Sequence, residues 1–65
     1  MNHDTAWMAV NERWTVHIEQ GPHKGQSGKA VDMSLDPSNP NLDDVIVDLG
    51  DQKVSVSRRF LSKEV

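Results

Sequence analysis

Cysteine is absent from this chain, which excludes disulfides and every thiolate-ligated metal site. Long apolar runs are absent too. No stretch approaches the ~20 residues that a membrane-spanning helix needs. The first residues lack a basic segment leading into an apolar one, so they do not read as a secretory signal. These absences lead to the expectation of a soluble, cytoplasmic protein with no membrane partner. Aromatic residues are scarce, with two tryptophans, one phenylalanine and no tyrosine. A stacking platform for single-stranded bases normally needs at least two exposed rings, so sequence-specific recognition of single strands is disfavoured. There is no excess of positive charge either. The formal net charge is −3, whereas affinity for nucleic acid rests largely on neutralising phosphates.

What charge there is falls in blocks. Six aspartates and no lysine or arginine lie between Asp32 and Asp51. Two lysines and no acid lie between Gly21 and Val31, and four basic residues stand against Glu64 between Lys53 and Val65. The chain is thus dipolar in sequence, with two basic stretches on either side of an acidic one. Sixty-five residues allow a single domain. A chain of that size buries only about 60% of its unfolded surface, so a thin core and modest stability are expected.

The richest segment runs from Val16 to Val31. Val16 and Ile18 share one face of an alternating stretch, and Thr15, His17 and Glu19 share the other. Gly21 ends the alternation where positive φ is cheap, and Pro22 removes a hydrogen-bond donor, so strand pairing stops there. Gly25 and Gly28 are expected to permit two further changes of direction. His23, Lys24 and Lys29 lie on or beside this turn.

This segment resembles the KOW motif found in a transcription factor and in several ribosomal proteins. The shared pattern is Val16-x-Ile18, then glycines at 21, 25 and 28, then the small Ala30 where the family usually carries a larger aliphatic. Val31 and Met33 continue into a second strand. The resemblance covers roughly residues 13–65. It implies an all-β fold: a small five-stranded SH3-like (KOW) barrel on residues 13–65. Residues 1–12 are expected to form a short N-terminal extension, either disordered or with a short helix over Ala6 to Val10 capped by Asp4 or Thr5.

The remaining elements follow from pattern. Arg13 to Glu19 reads as a strand with Trp14, Val16 and Ile18 inward. Lys29 to Leu35 reads as a strand with Val31, Met33 and Leu35 inward, and Ala30, Asp32 and Ser34 outward. Asp36 to Asn41, with two prolines, reads as a turn cluster. Val45 to Leu49 and Lys53 to Ser57 are two more strands, joined by a hairpin at Gly50-Asp51-Gln52. The resemblance further implies that Phe60 to Val65 supplies the closing turn and strand, and Phe60 is expected to plug the barrel with Arg58 and Arg59 exposed.

Nothing in the residues points to catalysis. Ser55, Ser57 and Ser62 lack a glycine elbow and a histidine nearby in sequence. Gly28-Lys29 lacks the serine or threonine that a phosphate-binding Walker loop requires. His3, His17 and His23 have no metal-ligand spacing, and the aspartates at 43, 44, 48 and 51 do not fit a calcium loop. No enzyme activity, metal or cofactor is expected. Two classes of function survive, with a monomer expected for either. The first is a nucleic-acid-binding module, slightly ahead on the resemblance. Its surface is His23, Lys24, Gly25, Gln26 and Lys29 with Lys53, Arg58 and Arg59, and the turn's backbone N–H groups and lysines touch RNA or DNA phosphates. The second is a protein-interaction module with no nucleic-acid contact, in which loops, a sheet edge and the acidic stretch from Asp36 to Asp44 meet a partner.

Overall fold

The computed structural model describes residues 1–34 and 44–64. Helix α1 spans His3–Asn11. Strands follow at β1 Thr15–Ile18, β2 Ser27–Ser34, β3 Asp44–Asp48 and β4 Lys53–Ser57. A 3-10 turn at Arg58–Phe60 leads into β5, Leu61–Lys63. The expected Asp36 to Asn41 turn cluster, Leu35 and Asp43 lie outside the described residues.

The strands form one antiparallel sheet in the order β4-β3-β2-β1-β5. The sheet does not close into the expected barrel. Among the described residues β4 pairs only with β3, and β5 only with β1, so both are edges. The strands are short, and the chain crosses from β4 to β5 through the 3-10 turn rather than through strand pairing.

An open sheet with one apolar face needs a cover, and α1 supplies it. Ala6 and Ala9 are fully buried, and with Val10 they join Val16, Ile18, Ala30, Met33, Val45, Val47, Val56 and Leu61 in one core. The alanines let the helix backbone approach the sheet closely, and neither carries rotamer entropy to lose. Residues 1–12 are therefore no appendage to the sheet's core. The helix begins earlier than its sequence suggests. Asn2 is the N-cap, its side-chain oxygen accepting from the Thr5 N–H at 2.8 Å, in place of Asp4 or Thr5. Asp4 instead sits in the first turn, where it complements the helix dipole.

The helix ends in a Schellman-type cap. The Trp14 N–H donates to Ala9 O at 2.9 Å and the Arg13 N–H to Val10 O at 3.3 Å, with Arg13 at φ 54° in the left-handed region. Trp14 keeps its expected inward side, packed against the core, but this cap places it just before β1 rather than within that strand. It is the last residue of the cap, half-buried at the margin of the core, with the Lys63 ammonium 4.3 Å from its ring centre.

Strand β2 departs from simple alternation. Lys29 pairs with Asp48 and Ala30 with Val47, but Asp32 pairs with Ile46, so Val31 is an extra residue in a β-bulge. The bulge turns both Ala30 and Met33 inward and leaves Val31 half-buried, reversing the expected faces of Ala30 and Val31. Arg13 donates to the Val31 carbonyl, which ties the helix cap to the bulge.

The glycines have different jobs. Gly25 adopts φ +91° with open space around it. Gly28 makes no turn. It pairs with Val16 inside β2, and an added Cβ would overlap the Asp48 carbonyl and sit 2.9 Å from Val47 Cγ1. Its missing side chain lets β3 approach. Gly25→Val should therefore cost about 1–2 kcal/mol through its backbone conformation alone. Gly28→Val should cost more, at the upper end of the ~1–3 kcal/mol of overpacking. Urea unfolding of both variants checks this order.

Candidate functional site

The loop joining β1 to β2, residues 19–26, folds back on itself. The Lys24 N–H donates to Gly21 O at 3.1 Å, the Gln26 N–H to His23 O at 3.1 Å and the Gly25 N–H to Ile18 O at 2.8 Å. Gly21, at φ +90°, permits the entry turn and lies against Phe60. A Cβ there would stand 3.4 Å from the Phe60 ring. The Glu19 N–H donates to Phe60 O at 2.6 Å, so the loop is fastened to the 3-10 turn.

A cavity of about 120 Å³ opens between them. Ile18, Pro22, Val56 and Phe60 give it apolar walls, and Gln20, His23, Ser55 and Ser57 add polar groups. The serine hydroxyls are engaged by protein groups. Ser55 donates to Asp44 Oδ2 at 3.1 Å, and Ser57 accepts from the Arg59 N–H at 3.4 Å. Phe60 is half-buried as a wall of this cavity rather than a plug.

The residues singled out in the sequence divide into two groups. His23, half-buried in the cavity wall, lies with the exposed Lys24, Gly25 and Gln26 on the loop, close to the 3-10 turn that carries Arg58 and Arg59. Lys29 and Lys53 lie elsewhere, on the outer face of the sheet, where Asp48 pairs with both and separates them. The eight residues thus form no continuous basic edge.

Two parts of the expected phosphate site are otherwise occupied. The N–H groups of Lys24 and Gln26 are spent on the loop's own carbonyls and that of Gly25 on the last carbonyl of β1, so they are not aimed at a ligand. Arg58, expected to be exposed, is half-buried against the start of the chain. Its Nη1 donates to Met1 O at 3.3 Å, and its carbonyl accepts from the Met1 ammonium at 2.7 Å. Leu61 O accepts from the same ammonium at 3.1 Å. Arg59 and Lys24 remain exposed.

The histidines lie on three different elements. Trp7 Nε1 donates to His3 Nε2 at 3.1 Å within α1, and His17 Nδ1 meets Ser27 Oγ at 3.1 Å on the outer face of the sheet. Among the described residues no group of three metal-ligating side chains converges, and no helix is long and apolar enough to cross a membrane. Sequence reasoning missed the cavity, because its lining comes from two stretches, residues 18–23 and 55–60, that lie more than thirty positions apart. Its only signal was Pro22, read as a strand breaker rather than a wall. No protein-family model, curated protein or solved structure matches the chain.

Burial, and then the Arg58 guanidinium, lower the pKa of the Met1 amine from its ordinary 8.0. Between the lowered value and 8.0 the unfolded chain binds more protons than the folded one, so stability rises with pH across that window. Thermal melting of the chain should move up as pH approaches 8.0. Nα-acetylation should remove this increment, and a pH dependence left unchanged by acetylation would show that it does not come from this amine.

Proposed function

We propose that this chain is a non-catalytic binding module of the SH3-like, KOW-related kind, and that its ligand is a protein. The KOW resemblance of residues 13–65 supports the module class. The strand order adds support, because β5 returns to β1 and leaves one opening, between β4 and β5, bridged by the 3-10 turn.

The choice of a protein ligand rests on the apolar-walled cavity between the β1–β2 loop and the 3-10 turn. About 120 Å³ is well below the ~300–1,000 Å³ of typical small-molecule pockets. It is room for one side chain of a partner. Electrostatics point the same way. A net charge of −3, internally used loop amides and an Arg58 held by the N-terminus leave little to neutralise a phosphate backbone. The second reading, contact with RNA or DNA, draws on the exposed Lys24, Gln26 and Arg59 beside the cavity, and on Lys29 and Lys53 on the outer face.

An amide-shift NMR titration at low salt with a short RNA and a short duplex DNA decides between them. For a protein-binding module the amides of residues 23–26 and 58–59 stay in place, and the immobilised chain retains a protein from nuclease-treated host lysate. Shifts at Lys24, Gln26 and Arg59 that weaken with salt would replace this reading with the nucleic-acid one.

A further inference from the structure

The cavity does not stand alone. Three of its lining residues, Ser55, Val56 and Ser57, belong to β4. Strand β4 is an edge, paired on one side by β3. The hairpin sets which backbone groups face outward. The Leu49 N–H donates to Gln52 O at 2.8 Å, and the alternation of an antiparallel ladder then assigns Val54 and Val56 to the hydrogen-bonded pairs with Val47 and Val45. The N–H and C=O groups of Lys53 and Ser55 therefore point away from β3. Among the described residues they meet no other strand.

Exposed charge frames this edge. Lys53 begins β4, Arg59 follows its end, and Lys24 stands on the loop across the cavity. All three are exposed and positive. Of the acids beside this edge, Asp44 accepts from Ser55 Oγ at 3.1 Å, Asp48 from the Gly50 N–H at 2.8 Å and Glu19 from Ser62 Oγ at 2.6 Å, while Asp51 is exposed in the hairpin.

We propose that β4 and the cavity together form a seat for an extended, acidic peptide segment of a partner protein. The segment adds as a strand along Lys53 to Ser57 and places one apolar side chain between Pro22, His23, Val56 and Phe60. Main-chain hydrogen bonds supply affinity, and the cavity supplies selectivity and register. Acidic residues on either side of the apolar anchor face Lys53 at one end and Arg59 and Lys24 at the other. This proposal rests on the protein-binding reading above and narrows it to one surface and one ligand chemistry.

The test is a selection of random, displayed linear peptides on the immobilised full chain, followed by measurement of the enriched sequences on two variants. Ser55→Pro removes the outward N–H at a position where an edge strand tolerates proline, and it should keep a cooperative melt. Lys24→Glu with Arg59→Glu inverts the frame and leaves the core untouched. The expected peptides carry one apolar residue between aspartates or glutamates. They should lose at least about tenfold in affinity on each variant. On the unaltered chain their binding should shift the Lys53, Ser55 and Ser57 amides and protect those of Lys53 and Ser55 from hydrogen exchange, a readout that stands even if Ser55→Pro fails to fold. Peptides that bind both variants as well as the original chain, or that leave those amides in place, would overturn the seat. So would enrichment of basic or charge-free peptides, or sedimentation as a dimer that Ser55→Pro dissociates, which would give the edge to a second copy. A lysate protein retained equally by the chain and by Ser55→Pro would overturn the seat while leaving the protein-binding reading intact.

Discussion

The seating of α1 on the open sheet is the contact on which the rest of this structure depends. Five short strands with one apolar face cannot stand in water uncovered, and among the described residues α1 is the element that covers them. Ala6 and Ala9 are small enough for the helix to sit close, and both are fully buried against the sheet. The two ends of the helix are then fixed by different means. Its start is held because the Met1 ammonium reaches the carbonyls of Arg58 and Leu61. Its end is held because Arg13 takes up the Val31 carbonyl at the bulge.

Those two anchors place the candidate site. The first positions the 3-10 turn, and with it Phe60, whose carbonyl accepts from the Glu19 N–H and whose ring lies beside Gly21. The β1–β2 loop is thereby brought to the end of β4, and the cavity is the gap left between them. The second shapes the sheet. A bulge strengthens local twist, and Gly28 lets the Asp48 carbonyl come close enough to pack. A partly apolar cavity beside a strand edge is thus a consequence of how the two ends of α1 are tied down.

Charge tells a complementary story. In sequence, the lysines at 24, 29 and 53 and the arginines at 58 and 59 read as one basic set. In space they separate according to the chemistry each meets. Arg58 is drawn to the N-terminus, Lys29 and Lys53 are set on either side of Asp48, and Lys24 and Arg59 stay in solvent near the cavity. Sequence proximity is a poor guide to a charged surface in a sheet protein, because pairing partners arrive from other strands.

Local physics made much of the fold legible. Period-two alternation marked four of the five strands to within a few residues, the resemblance supplied the closing strand, and Gly50-Asp51 marked the hairpin between β3 and β4. Positive φ at Gly21 and Gly25 follows from glycine's missing side chain, so that turn too was readable from the residues. The faces of β2, the helix cap and the cavity were not, since each depends on groups distant in sequence. The bulge at Val31 depends on the register of β3, and the inward turn of Ala30 follows from it. The half-burial of Trp14 depends on where α1 ends. The cavity needs β1, the loop, β4 and the 3-10 turn at once. Sequence alone determined which segments are strands and where the chain turns, because those are properties of neighbouring residues. Tertiary structure decided which residues meet at the site, because the covering of the open sheet by α1 and the anchoring of the Met1 amine bring together groups up to 60 positions apart.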